Sequence, residues 1–500
     1  MSVAVAAANQ LAADAGAAVA AAGGSAVDAA IAGVLVAALT EPGVCSPAGG
    51  GFVTIWGPDA PPVTIDGYLE MPGRTLPPEA FGHGGSKVWM AYGGGMETIV
   101  GPGSVATPGG FKALAEASDR FGRLPWAELL QPAIAAARDG FPLSASSDSY
   151  LEHALDPIYG IDPRSRAVLT DGDRRLRVGE IVRLPDLADL LDALAEEGVD
   201  LLYLGEAGAI ISEFVLDGGG ILTRHDLAAY ETVWRTPISS GLAGRAVATN
   251  PGPAVGGAGL VAMLELTKGW AHEGFGPEAA TRFAEVQEAV FSYRRRVLDP
   301  AVVPDVGELV ARARVGDLAA LRGSPSTVHV SAAGDDGWGC AITFSAGYGS
   351  GCMPPGTGLW LNNSLGEIEL NHGGFHSLRP GTRLSSNMAP TLVRGEDSIL
   401  AIGSPGADRI TTAIATTLLA HVDAGLSLED AVAHPRLHVE RTPDGPRVAL
   451  EPGMPYEGPW ASRQFEELHM FFGGVAAAEA SPRMVIAASD PRRGGGIAVA

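Results

Sequence analysis

The sequence predicts an α+β protein, and three observations carry that reading. Of its 500 residues 46% are hydrophobic and 18% charged, the balance of a well-packed globular chain. Segments with helical apolar spacing recur before residue 327, and from residue 327 the character shifts to short strands. Length alone suggests about three domains, a prior that large single domains break.

The elements follow in chain order. The apolar run from Ala29 to Leu39 is too short to span a bilayer and reads as a buried helix packed through small residues. Asp28 at its start is either a buried partner or a cap. No Lys or Arg precedes Arg74, so the positive segment of a secretory leader is missing. "PGGFKALAEASDRFG" (108–122), "PWAELLQPAIAAARDG" (125–140) and "PDLADLLDALAEEG" (185–198) each combine helical spacing, an early proline or acid and a closing glycine. Strands are expected at "TVHVSAA", "WGCAITFS", "GLWLNN" and "SILAIG", with one helix at "RITTAIATTLLAHVDAG". The "GGG" runs at 49–51 and 218–220 lack the Lys-Ser/Thr of a phosphate loop and read as tight turns.

Charge and cysteine usage exclude several classes of function. A net charge of -23, with "RRR" at 294–296 as the longest basic cluster, repels phosphate backbones and anionic membranes, so neither nucleic acid nor membrane is an expected partner. Cys45, Cys340 and Cys352 form no CxxC pair, which argues against a disulfide framework and a structural zinc site and fits a reducing, cytoplasmic location. "NHGGFH" sets His372 and His376 four apart, but Gly-Gly between them opposes a helix aiming both at one ion. No metal and no cofactor is expected.

One hairpin carries chemistry. "DDG" at 335–337 suits a three-residue loop ending in a left-handed glycine, which pairs Gly334 with Trp338, His329 with Thr343 and Thr327 with Ser345. The two-residue strand period then puts Thr327, His329, Thr343 and Ser345 on one face. Cutting the bond before Thr327 would free an α-amino group of pKa about 7.7 to 8.0, able to act as base for the threonine's own hydroxyl. The plain alternative is an ordinary strand start after a Gly-Ser-Pro-Ser loop. His329 reads as a structural hydrogen-bonding residue, since the amine already fills the role of base.

The hairpin lies among segments that resemble the gamma-glutamyltranspeptidase family of N-terminal-nucleophile hydrolases: "GGSAVDAAIA" (23–32), "EPGVCSPAGGGF" (41–52), "SVATPGGFKAL" (104–114), "LPWAELLQPAIAAARDGF" (124–141), "LTRHDLAAY" (222–230), "LSSNMAPT" (384–391) and "GSPGADRI" (403–410). The resemblance implies a four-layer αββα sandwich made as a precursor that cuts itself. Residues 1–326 would form the large subunit and 327–500 the small one, the two staying together as one intertwined domain and heterodimer. It further implies Ser326-Thr327 as the scissile bond, Thr327 as nucleophile, Ser345 as the hydroxyl that holds it, Gly406 and Ala407 as backbone donors of the oxyanion hole, and Ser385 and Ser386 as contacts to the substrate α-carboxylate.

The glutamyl-specific positions depart from the family pattern. Leu69 in "DGYLEMPGR" stands where the family has its carboxylate-binding arginine, and the nearest arginine is Arg74. Ser364 replaces the acidic or amide residue after Asn-Asn, Gly366-Glu367 replaces an aspartate pair, and "SAGYGSG" lacks the asparagine beyond Ser345. The short stretch from Ser364 to Ser385 leaves little material for a lid and implies an open cleft. The expected function is a self-processing threonine hydrolase or acyltransferase with altered acyl-group recognition, acting on a small amide or natural product. Alternatives are a true gamma-glutamyl hydrolase or transpeptidase on glutathione-like donors in which Arg74 takes over, a carbon–carbon bond hydrolase in antibiotic biosynthesis, or an inactive binding protein, which the retained nucleophile and oxyanion loop speak against.

Overall fold

The computed structural model describes residues 1–91, 95–268, 276–301, 304–315 and 327–500. Two antiparallel sheets form its centre. The seven-stranded sheet runs in the order Val233–Arg235, Val63–Gly67, Gly50–Trp56, Gly339–Ser345, Val328–Gly334, Val3–Ala7, Gly496–Val499. The six-stranded sheet runs Ile238–Leu242, Arg245–Thr249, Thr391–Arg394, Ile399–Gly403, Ala476–Ser481, Met484–Ser489.

Small side chains let the sheets stack. Ala4, Ala333, Ala341, Ala401, Ala478 and Ala480, with Leu392 and Ile399, make one buried cluster from strands of both sheets. The outer face of the first sheet carries the helices Gln10–Ala21, Ala26–Thr40 and Gly110–Phe121, with Trp126–Asp139 packed on Ala26–Thr40, and that of the second carries Gly256–Leu266 and Arg409–Leu418. Helix, sheet, sheet and helix are the four layers of an αββα sandwich, the N-terminal-nucleophile hydrolase fold. Among the described residues no helix is long and apolar enough to cross a membrane.

The expected helices are present, as Gly110–Phe121, Trp126–Asp139, Pro185–Glu197 and Arg409–Leu418. Every residue of Ala26–Thr40 is buried. Asp28 is both cap and buried partner: it closes a capping box with Ser25, and its Oδ2 also accepts the Arg123 N–H at 2.8 Å. The three cysteines are buried and free.

Two expectations are corrected. "GLWLNN" forms no strand; its one ladder contact is a bridge of Leu361 to Ala48, and Leu361 otherwise ties back to Ser350 and Cys352 in a loop. Gly50 and Gly51 lie in a strand rather than a turn, and the reason for glycine is close approach: a Cβ on Gly51 would meet the Thr343 carbonyl oxygen at 2.2 Å, and one on Gly50 the Gly67 oxygen at 2.6 Å.

Candidate active site

The hairpin has the register that its turn dictates. Gly337 adopts φ +83°, the Gly334 N–H donates to the Trp338 carbonyl, and the strands pair His329 with Thr343 and Val328 with Phe344. One step further, Thr327 comes opposite Ser345 at the strand end, and both are buried, 4% and 3% exposed. Ser345 Oγ accepts the Gly347 N–H at 3.1 Å, so the first residues after the strand fold back around this hydroxyl. Ser326, the other half of the expected scissile bond, lies outside the described residues.

His329 is fully buried, with one ring nitrogen 2.8 Å from Thr343 Oγ1 and the other 2.8 Å from Ser331 Oγ. Loss of hydration pushes its pKa down to about 3, so it stays neutral and structural. The ring packs against Gly403, the last residue of the strand that leads into the loop expected to form the oxyanion hole.

That loop is built around backbone donors. Gly406 has φ +123° and Ala407 φ +68°, the left-handed region, which costs alanine about 1 to 2 kcal/mol. The conformation presents both N–H groups at the start of the helix Arg409–Leu418, and neither has a partner among the described residues. A helix start adds a partial positive charge suited to a developing oxyanion. Ser404 fixes the loop from behind, its Oγ donating to the Pro405 carbonyl at 2.7 Å and accepting the Gly474 N–H at 2.9 Å. A side chain on Gly406 would strike Gly473 Cα at 2.9 Å. Ser404 was quoted only as part of a motif; its role becomes visible through Gly474, seventy residues away.

Thr327, His329, Pro405, Gly474, Glu41 and Arg493 line one small cavity of about 20 Å³. Thr327 and Pro405, the residue before Gly406, therefore face one space. Burial pushes the Glu41 carboxyl up, against hydrogen bonds from Asn9, Ser144 and Ser147.

The expected substrate contacts cluster on the other side of Ser345. Gly50, paired with Ser345, packs against Tyr68, and Gly347 packs against Glu367. Ser364, Glu367 and Ser386 are buried, 2%, 1% and 2% exposed, and Ser385 is half-buried, so these groups do not line an open cleft as expected. Burial, reinforced by Glu369, pushes the Glu367 carboxyl well above the usual range. Ser364 Oγ is close enough to Tyr68 and Glu367 to interact with both, but among the described residues neither it nor Glu367 Oε1 completes a hydrogen bond of good geometry. Tyr68, which the sequence reading passed over, sits beside Leu69 and joins these groups.

Leu69 and Arg74 do not face a substrate. Leu69 is fully buried among Phe52, Met71, Leu384 and Met388. Arg74 is held by Glu70 at 2.7 Å and Asp226 at 3.5 Å, and Arg383 lies 3.5 Å from Glu70 and 3.6 Å from Asp66. Both cations are already paired with carboxylates. His376 accepts the Gly82 N–H and donates to the Gly103 carbonyl, whereas His372 lies 3.7 Å from Asp299, so the two histidines serve different neighbours. Among the described residues no three His, Cys, Asp or Glu side chains gather as metal ligands.

Comparison with known proteins agrees with this geometry. The Gamma-glutamyltranspeptidase family model matches residues 12–500. The chain is 29% identical over 538 residues to a glutathione hydrolase proenzyme of Pseudomonas aeruginosa, covering 99% of this chain and 94% of that one. It is 31% identical to an acylase ACY 1 proenzyme of Pseudomonas sp. strain SE83, covering 89% and 83%. The crystal structure of cephalosporin acylase from Bacillus halodurans superposes with a TM-score of 0.81 at 25% identity, over 99% of this chain and 95% of that one. The chain belongs to the gamma-glutamyltranspeptidase family and is an enzyme of the N-terminal-nucleophile hydrolase type.

Proposed function

We propose that the chain is a self-processing threonine hydrolase or acyltransferase that opens an amide bond in a small molecule, with acyl-group recognition altered from the glutamyl type. The observation that supports this reading is Thr327, at a buried strand start opposite Ser345, on one cavity with Pro405, the residue that leads into the left-handed Gly406-Ala407 turn. In the precursor, Thr327 Oγ1 attacks the Ser326 carbonyl, the peptide nitrogen leaves as the α-amine of Thr327, and water then hydrolyses the resulting ester. The products are a large subunit, 1–326, and a small subunit, 327–500, which remain paired because strands of both share one sheet. In turnover the freed amine takes the hydroxyl proton, Oγ1 attacks the substrate carbonyl, Gly406 and Ala407 hold the oxyanion, and the amine passes the proton to the leaving nitrogen. Water or a second amine then takes the acyl group from Thr327.

Two relatives bear different names, glutathione hydrolase and acylase. The packed Leu69 and the occupied Arg74 favour the acylase side. A bidentate contact to an α-carboxylate contributes about 1.5 to 3 kcal/mol, and neither residue can supply it. Denaturing electrophoresis of wild type beside Thr327→Ala tests the reading: two bands against one are expected, and a single intact band from active wild type would refute it.

A further inference from the structure

The cavity beside Thr327 has charged walls that the steps of turnover leave unused. It holds about 20 Å³, room for about one water molecule, so groups on its opposite walls stand close to one another. Thr327, Glu41, Asp490 and Arg493 all line it. Glu41 belongs to the segment that becomes the large subunit, whereas Thr327, Asp490 and Arg493 belong to the small one.

Glu41 is built into the wall as an anion. The residue is 3% exposed and directly follows the helix Ala26–Thr40. Its Oε1 accepts the Asn9 Nδ2–H at 2.7 Å, and its Oε2 accepts the hydroxyls of Ser144 at 2.6 Å and Ser147 at 3.1 Å. Ser144 Oγ takes the Ser147 N–H at 3.0 Å and Asn9 Oδ1 takes the Ala12 N–H at 3.0 Å, which turns the hydrogens of both side chains towards the carboxylate. All three contacts are donations to Glu41, and they favour its ionised form against the burial that raises its pKa.

The other ionisable groups around the cavity have settled states. Asp490 lies 2.7 Å from Arg436 and 3.0 Å from Arg492, and its Oδ2 also accepts the Val475 N–H at 2.8 Å, so its charge is balanced within that network. His329 stays neutral between Thr343 and Ser331, and burial pushes the Cys45 thiol, beside Glu41, up to about 12. Past Ser345, Glu367 packs on Gly347 and is held towards its neutral form by burial and Glu369. Arg493 reaches the Met470 and Gly473 carbonyls at 3.3 and 3.4 Å, and its positive field extends to Glu41.

Cutting Ser326-Thr327 adds one more ionisable group at this place, the α-amine on Thr327 itself. Its ordinary pKa of about 7.7 to 8.0 leaves it largely ammonium at neutral pH, and only the neutral amine can take the hydroxyl proton. A carboxylate across the cavity favours the ammonium, and a guanidinium opposes it. We infer that Glu41 and Arg493 are positioning residues of opposite sign that set how much of the freed Thr327 amine is available as base, Glu41 drawing it towards ammonium and Arg493 towards the neutral form. The inference rests on the reading of Thr327 as the processed first residue of the small subunit. The large subunit then contributes to the chemistry through a charge as well as through packing.

The test follows the amine directly. Purified, matured enzyme is labelled with a trace of acetic anhydride at a series of pH values spanning the ordinary amine pKa, esters are removed with hydroxylamine, and mass spectrometry reads acetylation of the Thr327 amine. Glu41→Gln keeps the size of the side chain and an acceptor for the serines, and it should lower the titration midpoint by about one pH unit; Arg493→Gln should raise it by about as much. The acid limb of kcat/KM on an accepted anilide should move in the same two directions. A purely structural role would lower the melting temperature and the rate while leaving both midpoints in place. Unmoved midpoints in both variants, or shifts of the same sign, would overturn the inference. Where Glu41→Gln does not mature, Arg493→Gln decides alone: an upward shift supports the inference and an unmoved midpoint overturns it. A small chain that starts at a residue other than Thr327 would refute the maturation reading and this inference together, whereas a chain that starts at Thr327 with unmoved midpoints refutes this inference only.

Discussion

Ser404→Ala removes a hydroxyl that touches no substrate, and its expected effect falls on the chemical step. The hydroxyl bridges the Gly474 N–H, 2.9 Å away, and the Pro405 carbonyl, 2.7 Å away. Without it a buried N–H loses its acceptor, at a cost of about 1 to 3 kcal/mol. The loop it pinned holds Ala407 in a left-handed conformation worth about 1 to 2 kcal/mol of strain, so the freed loop has reason to relax. A misaligned donor pair costs about 100-fold in turnover, since loss of a single oxyanion donor costs 100- to 1,000-fold. KM should move less than threefold, because ground-state contacts lie elsewhere. Thermal melting reports the stability loss, and steady-state kinetics on any anilide that the wild type accepts report the rest. Ser404 is a positioning residue on this account. A variant that loses stability but turns over at the wild-type rate per folded molecule, or one that changes KM and spares kcat, would refute the reasoning.

Three further outcomes follow from the same structure. Ser345→Ala should slow turnover about 100-fold and cost about 1 to 3 kcal/mol of stability, because the buried Gly347 N–H loses its acceptor, whereas Ser345→Thr should be nearly neutral, as kinetics and melting of both variants will show. Leu69→Arg should lower stability by more than about 3 kcal/mol and give no gain on glutathione, because the position is fully buried among apolar side chains; a folded variant with improved glutathione turnover would contradict it. His329, neutral when folded with a pKa of about 3, takes up a proton on unfolding near 6.5, so its contribution is complete above pH 6.5 and is lost as pH falls towards 3. Between pH 7 and 5 the loss is about 2 kcal/mol, and denaturant titrations of wild type and His329→Gln should differ by that amount in their pH dependence.

What the sequence could reveal depended on whether the partners were near in the chain. The Thr327–Ser345 juxtaposition was readable because one glycine turn sets the whole register of the hairpin. Helices with caps and terminal glycines were readable for the same local reason. "GLWLNN" misled because alternating apolar residues look alike in a strand and in a loop whose backbone is held by Ser350 and Cys352. The "GGG" at 49–51 looked like a turn because the need for glycine came from Thr343 and Gly67, remote strands that pass close by. Leu69 is visible in the sequence only as a departure within a motif, and its burial beneath Leu384 and Met388 is a tertiary fact.

The central claim is that Thr327 is both the processing residue and the nucleophile, and one measurement addresses it directly. Mass spectrometry of the purified small chain, before and after rapid quenching with a substrate amide, reads its first residue and the site of any adduct. The account predicts a chain that starts at Thr327 and, on quenching, carries the acyl mass on the peptide that contains Thr327. A small chain starting at another residue, or an adduct on a different side chain, would contradict it.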